Sequence, residues 1–372
     1  MELSVVILNY KVPYHLYLCV DSVVKATTTM DAEIIVVDNA SADESQELIT
    51  SHFPSVKWIQ LSDNLGFSAG NNKAIAQAKG DYLLVLNPDT FVGENSILEA
   101  LQKAKEIEGL GALGVQLIDG KGNFLPESKR NFPSFSAVKS KFFGNGETYY
   151  AKHLAPDQNG NVEVLVGAFM LMKTKEYLKV DGLDERYFMY GEDIDLSYQF
   201  IRHNHTNFYC GELSIVHFKG ESTQKDKWYW QRFYKAMFLF YKKNFPEDKV
   251  KQQLIQLATT TLSWLKRTTQ HHKNETLLPK QWLFLSSNIQ LKEELERVLA
   301  GKVYTTNISE LSKPSNESIG VIFDANEMNY ASIIFLMKKY THKNMYFRIL
   351  PRKANFIIGS DTSDTKGEVL FI

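Results

Sequence analysis

Three short clusters hold the side chains best suited to chemistry in this 372-residue chain. Asn87-Pro88-Asp89 follows the apolar run Tyr82-Leu83-Leu84-Val85-Leu86. A carboxylate at such a strand tip can hold Mg²⁺ or Mn²⁺ between two phosphates, because these ions prefer oxygen ligands and fill their shell with substrate oxygens and water. The same residues also suit a turn that caps a helix. Glu192-Asp193, with Asp195 close behind, follows Tyr187-Phe188-Met189-Tyr190. At a helix start the dipole favours the ionised carboxylate, whereas an aromatic wall favours the neutral acid. Balanced between the two, such a group can take a proton from a hydroxyl as general base. Acidic residues also collect at helix N-termini for structural reasons alone. His217 closes the strand-like run 213–216. Its imidazole can join a divalent-ion shell or serve as an ordinary hydrogen-bonded side chain.

These residues need a scaffold that carries them to one edge. Residues 4–8, 33–37, 58–61 and 81–86 are apolar runs closed by polar residues, the pattern of buried parallel strands. A helix is predicted over 69–78, stopped by Gly80. Strand and helix therefore alternate, which argues for an α/β domain with its ligand at the carboxyl ends of the strands. Each strand exits into polar residues: Asn9-Tyr10, Asp38-Asn39, Asn64-Leu65-Gly66-Phe67 and Asn87-Pro88-Asp89. Residues 110–161 read as irregular, with Gly and Pro spread through them, and suggest a lid or substrate loop. A strand is expected over 162–172, around Gly167-Ala168, and a helix from near Glu192.

Composition narrows the class. With 44% hydrophobic, 23% charged and 12% aromatic residues, the chain is neither disordered nor fibrous. A formal net charge of −1 supplies no field for nucleic acid. Cys19 and Cys210 are too few for a disulfide framework or a four-thiolate zinc site, which favours a reducing compartment. The N-terminus lacks a basic region before its short apolar run, and no stretch reaches the roughly 18 apolar residues of a membrane span. Residues 219–273 hold 12 Lys or Arg against 4 Asp or Glu, together with Trp228, Trp230, Phe233, Tyr234, Phe240 and Tyr241. Leu254, Ala258, Leu262 and Leu265 recur there at helical spacing. This segment fits either a membrane-surface helix pair or a pair packed on the preceding domain. Residues 281–372 repeat a smaller strand–helix alternation, but no Gly-x-Gly-x-x-Gly follows Phe284-Leu285-Ser286-Ser287, so no dinucleotide is expected there.

Taken in order, the four strand exits, Ser68-Ala69-Gly70-Asn71-Asn72, Gly182-Leu183-Asp184-Glu185, Gly191-Glu192-Asp193-Ile194-Asp195-Leu196 and His217 to Ser222 resemble the inverting family 2 glycosyltransferases of the rhamnosyltransferase-like branch. The resemblance spans residues 3–225. It implies a GT-A type α/β catalytic domain over 1–224 with a mixed, mainly parallel sheet; beyond it, composition and periodicity give an amphipathic aromatic and basic helical segment over 225–275 and a small Rossmann-like α/β module over 276–372. It implies a nucleotide-diphosphate sugar as donor. Asn9 and Asp38 would contact base and ribose, while Asn64, Gly66, Asn71 and Asn87 would shape the donor pocket. Asp89, helped by His217, would hold Mg²⁺ or Mn²⁺ on the diphosphate. Asp193, next to Glu192, would deprotonate the acceptor hydroxyl for in-line attack. The implied acceptor is a saccharide, in particular a lipid-linked one, in surface polysaccharide assembly. The implied place is the cytoplasm, with residues 225–267 offering peripheral contact with the inner membrane. Two positions depart from the family pattern: Asn87 replaces an acidic residue of the metal motif, and Gln199 stands where an Arg is usual. Arg130 fits the pattern. A nucleotidyltransferase, or a degenerate GT-A domain that only binds sugar or nucleotide, are the competing readings.

Overall fold

The computed structural model describes residues 1–133, 149–220, 227–249, 252–253, 255–256, 279–299, 301–312, 318–341, 344–362 and 366–372. β1 (Leu3–Asn9), β2 (Ala32–Asp38), β3 (Lys57–Gln60) and β4 (Tyr82–Leu86) alternate with α1 (Pro13–Ala26), α2 (Ser45–His52) and α3 (Gly66–Ile75). Next come β5 (Thr90–Phe91), α4 (Ser96–Glu106), β6 (Leu110–Ile118), β7 (Lys129–Arg130), β8 (Gly160–Val162), β9 (Val164–Leu165), β10 (Phe169–Lys173), α5 (Thr174–Lys179), α6 (Glu192–Arg202) and β11 (Thr206–His217). The main sheet runs β3-β2-β1-β4-β10-β6-β11-β5, with β8 also on β11. β1 to β4 are parallel, β10 lies antiparallel between β4 and β6, and β6 and β11 are parallel again. All residues of β1, β4 and β6 are buried, as their apolar runs require of strands covered on both faces.

Three local readings change. The strand expected over 162–172 is divided among the end of β8, β9 and β10, with Gly167-Ala168 between the last two. α3 begins at Gly66 rather than 69, because Asn64 Oδ1 accepts the Gly66 N–H and the Phe188 carbonyl accepts the Phe67 N–H, which satisfies the first donors of the helix. The stretch from 110 opens not as an irregular loop but as β6, whose nine residues are all buried. Gly111 and Gly114 look like breakers in sequence. In the fold they admit close packing, since a Cβ would stand 2.7 Å from Phe200 Cβ and from Leu165 Cδ2 respectively. Of the expected loop, residues 134–148 lie outside the described residues.

α7 (Lys227–Asn244) packs Tyr234, Met237, Phe240 and Tyr241 into a cluster with Tyr187 and Ile194. Its C-terminal end is fastened to α6: Lys243 Nζ lies 2.6 Å from Asp195 Oδ2, and Asn244 Nδ2 donates to Asp195 Oδ1. Gln199 donates to Asn244 Oδ1, so this side chain serves helix packing. The buried cluster matches the packed-helix reading for α7. Leu254, Ala258, Leu262 and Leu265 lie outside the described residues. Among the described residues no helix is long and apolar enough to cross a membrane.

The second sheet contains β12 (Gln281–Leu285), β13 (Lys302–Thr305), β14 (Ile319–Asp324), β15 (Met345–Leu350), β16 (Phe356–Gly359) and β17 (Glu368–Phe371), in the order β13-β12-β14-β15-β16-β17. α8 (Ile289–Val298) and α9 (Tyr330–Tyr340) connect its parallel strands. One apolar core runs from β1, α1 and α4 into Val321, Phe323, Ile333, Phe347 and Phe356 of this sheet layer. Polar contacts seal the junction. Asp21 of α1 accepts from the Tyr330 hydroxyl and, at 2.6 Å, from Arg352, while Glu94 accepts the N–H groups of Tyr330 and Ala331 at the start of α9.

Candidate active site

Strand pairing builds the site. The antiparallel register sets Phe169 opposite Leu86, so Gly167 and Ala168 lie beside the tip of β4, and the Asn87 N–H donates to the Ala168 carbonyl at 3.0 Å. His217, at the end of β11, pairs with Thr90 of β5, and the Phe218 N–H donates to the Asp89 carbonyl. This brings His217 Nε2 to 3.3 Å from Asp89 Oδ1, with both side chains buried. Burial works against the Asp89 charge, yet His217, and behind it His15, outweigh burial and hold this carboxyl below its ordinary range. Burial drives the His15 imidazole down to about 4.

The opposite wall comes from α6. Tyr190 and Gly191 both have positive φ, at 70° and 82°, and this tight turn delivers Glu192-Asp193 into the first helical turn. β7 pairs with β9, which places Arg130 opposite Val164 and sends its guanidinium under α6. Arg130 donates to Asp193 Oδ2 at 2.5 Å, to the Leu165 carbonyl and to the Tyr149 hydroxyl. The Gly167 N–H reaches the same Oδ2 at 3.3 Å, and the Ile194 N–H reaches Oδ1. Burial opposes the Arg130 charge, but Asp193 and Tyr149 prevail and keep it protonated. Glu192 is the contrasting neighbour: its Oε2 is buried with no hydrogen-bond partner, and burial, followed by the Asp193 charge, pushes its carboxyl up to about 8. Two adjacent acids thus differ, one salt-bridged and one protonated near neutral pH.

Between these walls lies a cavity of about 300 Å³. It gathers Asn64, Gly66, Asn87, Asp89, Glu192, Asp193 and His217 from the expected set. Asn9, Asp38 and Asn71 are not on its surface. Asp38 is saturated from within: Asn9 Nδ2 and Ser41 Oγ donate to Oδ1, and the Ser41 N–H and Gln60 Nε2 donate to Oδ2. Asn71 donates back to the Phe67 carbonyl inside α3. The wall near these strand ends is formed by Tyr10 and by Asn39, whose side chain bonds Asn64 and the Leu65 and Gly66 backbone. Lys219 and Glu127, paired with each other, and Phe233 of α7 also line the cavity. The sequence held no signal for the pairing of Arg130 with Asp193 across 63 positions, since only strand and helix packing makes them neighbours.

Carboxylates and an imidazole gathered in one cavity suit proton transfer at a bound hydroxyl. Comparison with known proteins shows the family. Residues 4–177 match the family model for glycosyl transferase family 2. Over 243 residues, 60% of this chain and 78% of the relative, the sequence is 30% identical to an N-acetylglucosaminyl-diphospho-decaprenol L-rhamnosyltransferase of Mycobacterium tuberculosis. It is 29% identical over 172 residues to the rhamnosyltransferase WbbL of Escherichia coli, covering 44% of this chain and 64% of that one. Among solved structures, GalNAc-T7 with UDP, GalNAc and Mn²⁺ aligns with a TM-score of 0.51 at 16% identity, over 67% of this chain and 49% of that one, a likeness of fold. The chain is a GT-A fold enzyme that belongs to the family 2 glycosyltransferases, in their rhamnosyltransferase-like branch.

Proposed function

We propose that the enzyme moves one sugar, with inversion, from a nucleotide-diphosphate donor to a saccharide acceptor during glycan assembly. The supporting observation is the cavity whose lining brings Asp89 and His217 together with Asp193. In the transfer, an acceptor oxygen bonds to the anomeric carbon as the bond from that carbon to the diphosphate oxygen breaks. The acceptor proton passes to the Asp193 carboxylate, and the electron pair leaves with the diphosphate. Arg130 orients Asp193 for this role, and protonated Glu192 adds no second negative charge beside it.

Asp89 and His217 fit Mg²⁺ or Mn²⁺. They supply one carboxylate oxygen and one imidazole nitrogen close together, and no group of three or more such ligands occurs among the described residues, so substrate oxygens and water would complete the shell. When bound, the ion supplies positive charge to the departing diphosphate. Asn87, 3.5 Å from His217 Nε2, borders this place without adding a charge. The likeness to the rhamnosyltransferase acting on a diphospho-decaprenol sugar supports a lipid-linked acceptor and a 6-deoxyhexose or hexose as the transferred group.

Asp193→Asn tests the reading. Turnover should fall by about 10²–10⁴, the usual contribution of a general base, while donor binding is retained. Unchanged turnover would remove Asp193 from the mechanism.

A further inference from the structure

Four described glycines line the cavity, and three of them are required by the backbone. Gly66, Gly191 and Gly220 have φ of 83°, 82° and 81°, where other L-residues are strained. Gly167 is the exception: its φ is not in the left-handed region, and an added Cβ would meet nothing closer than Asp193 Cβ at 3.6 Å, Phe67 Cζ at 3.7 Å and Phe67 Cε1 at 3.8 Å. These are ordinary contacts. The protein could hold a methyl group here, so neither conformation nor packing explains the glycine.

The position of Gly167 suggests its use. On one side the neighbouring Ala168 carbonyl holds the Asn87 N–H beside Asp89, and on the other the Gly167 N–H points to Asp193 Oδ2. Resting on the reading above, the diphosphate leaves toward Asp89 and the proton toward Asp193, so an in-line reaction sets the anomeric carbon between the two. That is the space over Gly167. We propose that Gly167 sets the size of the subsite for the transferred sugar: the missing side chain lets the sugar approach the backbone beside Phe67 and Asp193. The nucleotide and diphosphate lie elsewhere in the cavity and do not use this room.

The experiment compares Gly167→Ala and Gly167→Val with wild type by calorimetric titration in Mn²⁺, using UDP, UDP-GlcNAc, dTDP and dTDP-rhamnose as probes, with thermal melting as the check on folding. Gly167→Ala should melt like wild type and bind the preferred nucleoside diphosphate within twofold. It should lose tenfold or more in affinity for the matching nucleotide sugar, and Gly167→Val should lose more. Nucleotide-sugar affinity within twofold of wild type in Gly167→Ala overturns the inference, as does an equal loss for the plain diphosphate. A wild-type protein that binds none of the four, nor GDP, overturns the donor reading itself, which separates the two failures.

Discussion

Glu192→Gln isolates a single buried proton. In the folded protein the Glu192 carboxyl sits near 8, against an ordinary 4.5, because burial and the Asp193 charge both penalise its ionised form. The sign follows from proton counting. Between these values the folded state keeps the proton that the unfolded chain releases, so stability falls as pH rises through this window and levels off above 8. Each pH unit costs about 1.4 kcal/mol, so at pH 7 the accumulated cost is roughly 3 kcal/mol relative to pH 4.5. Glutamine keeps the shape of the neutral acid and never ionises. Glu192→Gln should therefore be more stable than wild type at pH 7 by about 3 kcal/mol, a rise of roughly 4 °C in Tm for a unit of this size, with the advantage gone at pH 4.5. Denaturant and thermal melts of both proteins from pH 4.5 to 8.5 measure this directly. Parallel pH–stability curves for the two proteins would refute the reasoning and place an ionised Glu192 in the cavity. Turnover gives a second readout: because Glu192 is neutral near pH 7 already, the glutamine variant should retain far more activity than Asp193→Asn.

Two further changes probe the supports of the site. Arg130→Gln strips Asp193 of its buried partner, so it should destabilise by about 3–5 kcal/mol and lower kcat more than it raises KM, with Arg130→Lys milder in both; an unchanged kcat would show that Arg130 does not act through Asp193. Asp21→Ala leaves Arg352 and the buried Tyr330 hydroxyl without their carboxylate and should cost about 2–4 kcal/mol, lowering one shared unfolding transition. A variant whose 1–220 region melts unchanged while the C-terminal sheet unfolds early would contradict the continuous core.

What the sequence disclosed depended on whether a signal was local. β1, β2 and β4 are legible because strands covered on both faces are apolar throughout, and the turn into α6 is legible because acids favour a helix start. β6 was hidden because its glycines, which loops also favour, are there to admit Phe200 and Leu165. Asp38 reads as a ligand-binding residue in its motif, yet four donors from Asn9, Ser41 and Gln60 converge on it once β1, β2 and β3 are paired. Gln199 stands out as a departure in sequence, and its packing partner Asn244 becomes visible only with α7 in place. The Arg130–Asp193 pair and the space over Gly167 are products of tertiary packing, which no spacing rule encodes.

If Asp89 and His217 hold a donor diphosphate through a divalent ion, nucleotide binding depends on that ion and on Asp89. Thermal melting of wild type and Asp89→Ala with UDP, dTDP and GDP, each with and without Mn²⁺, tests it directly. A ligand at roughly 100 times its Kd stabilises by about 2.7 kcal/mol. The account predicts that one nucleotide raises the wild-type Tm only when Mn²⁺ is present, and that Asp89→Ala loses the shift. A folded protein that no nucleotide stabilises at saturation, or a shift that survives in Asp89→Ala, would contradict it.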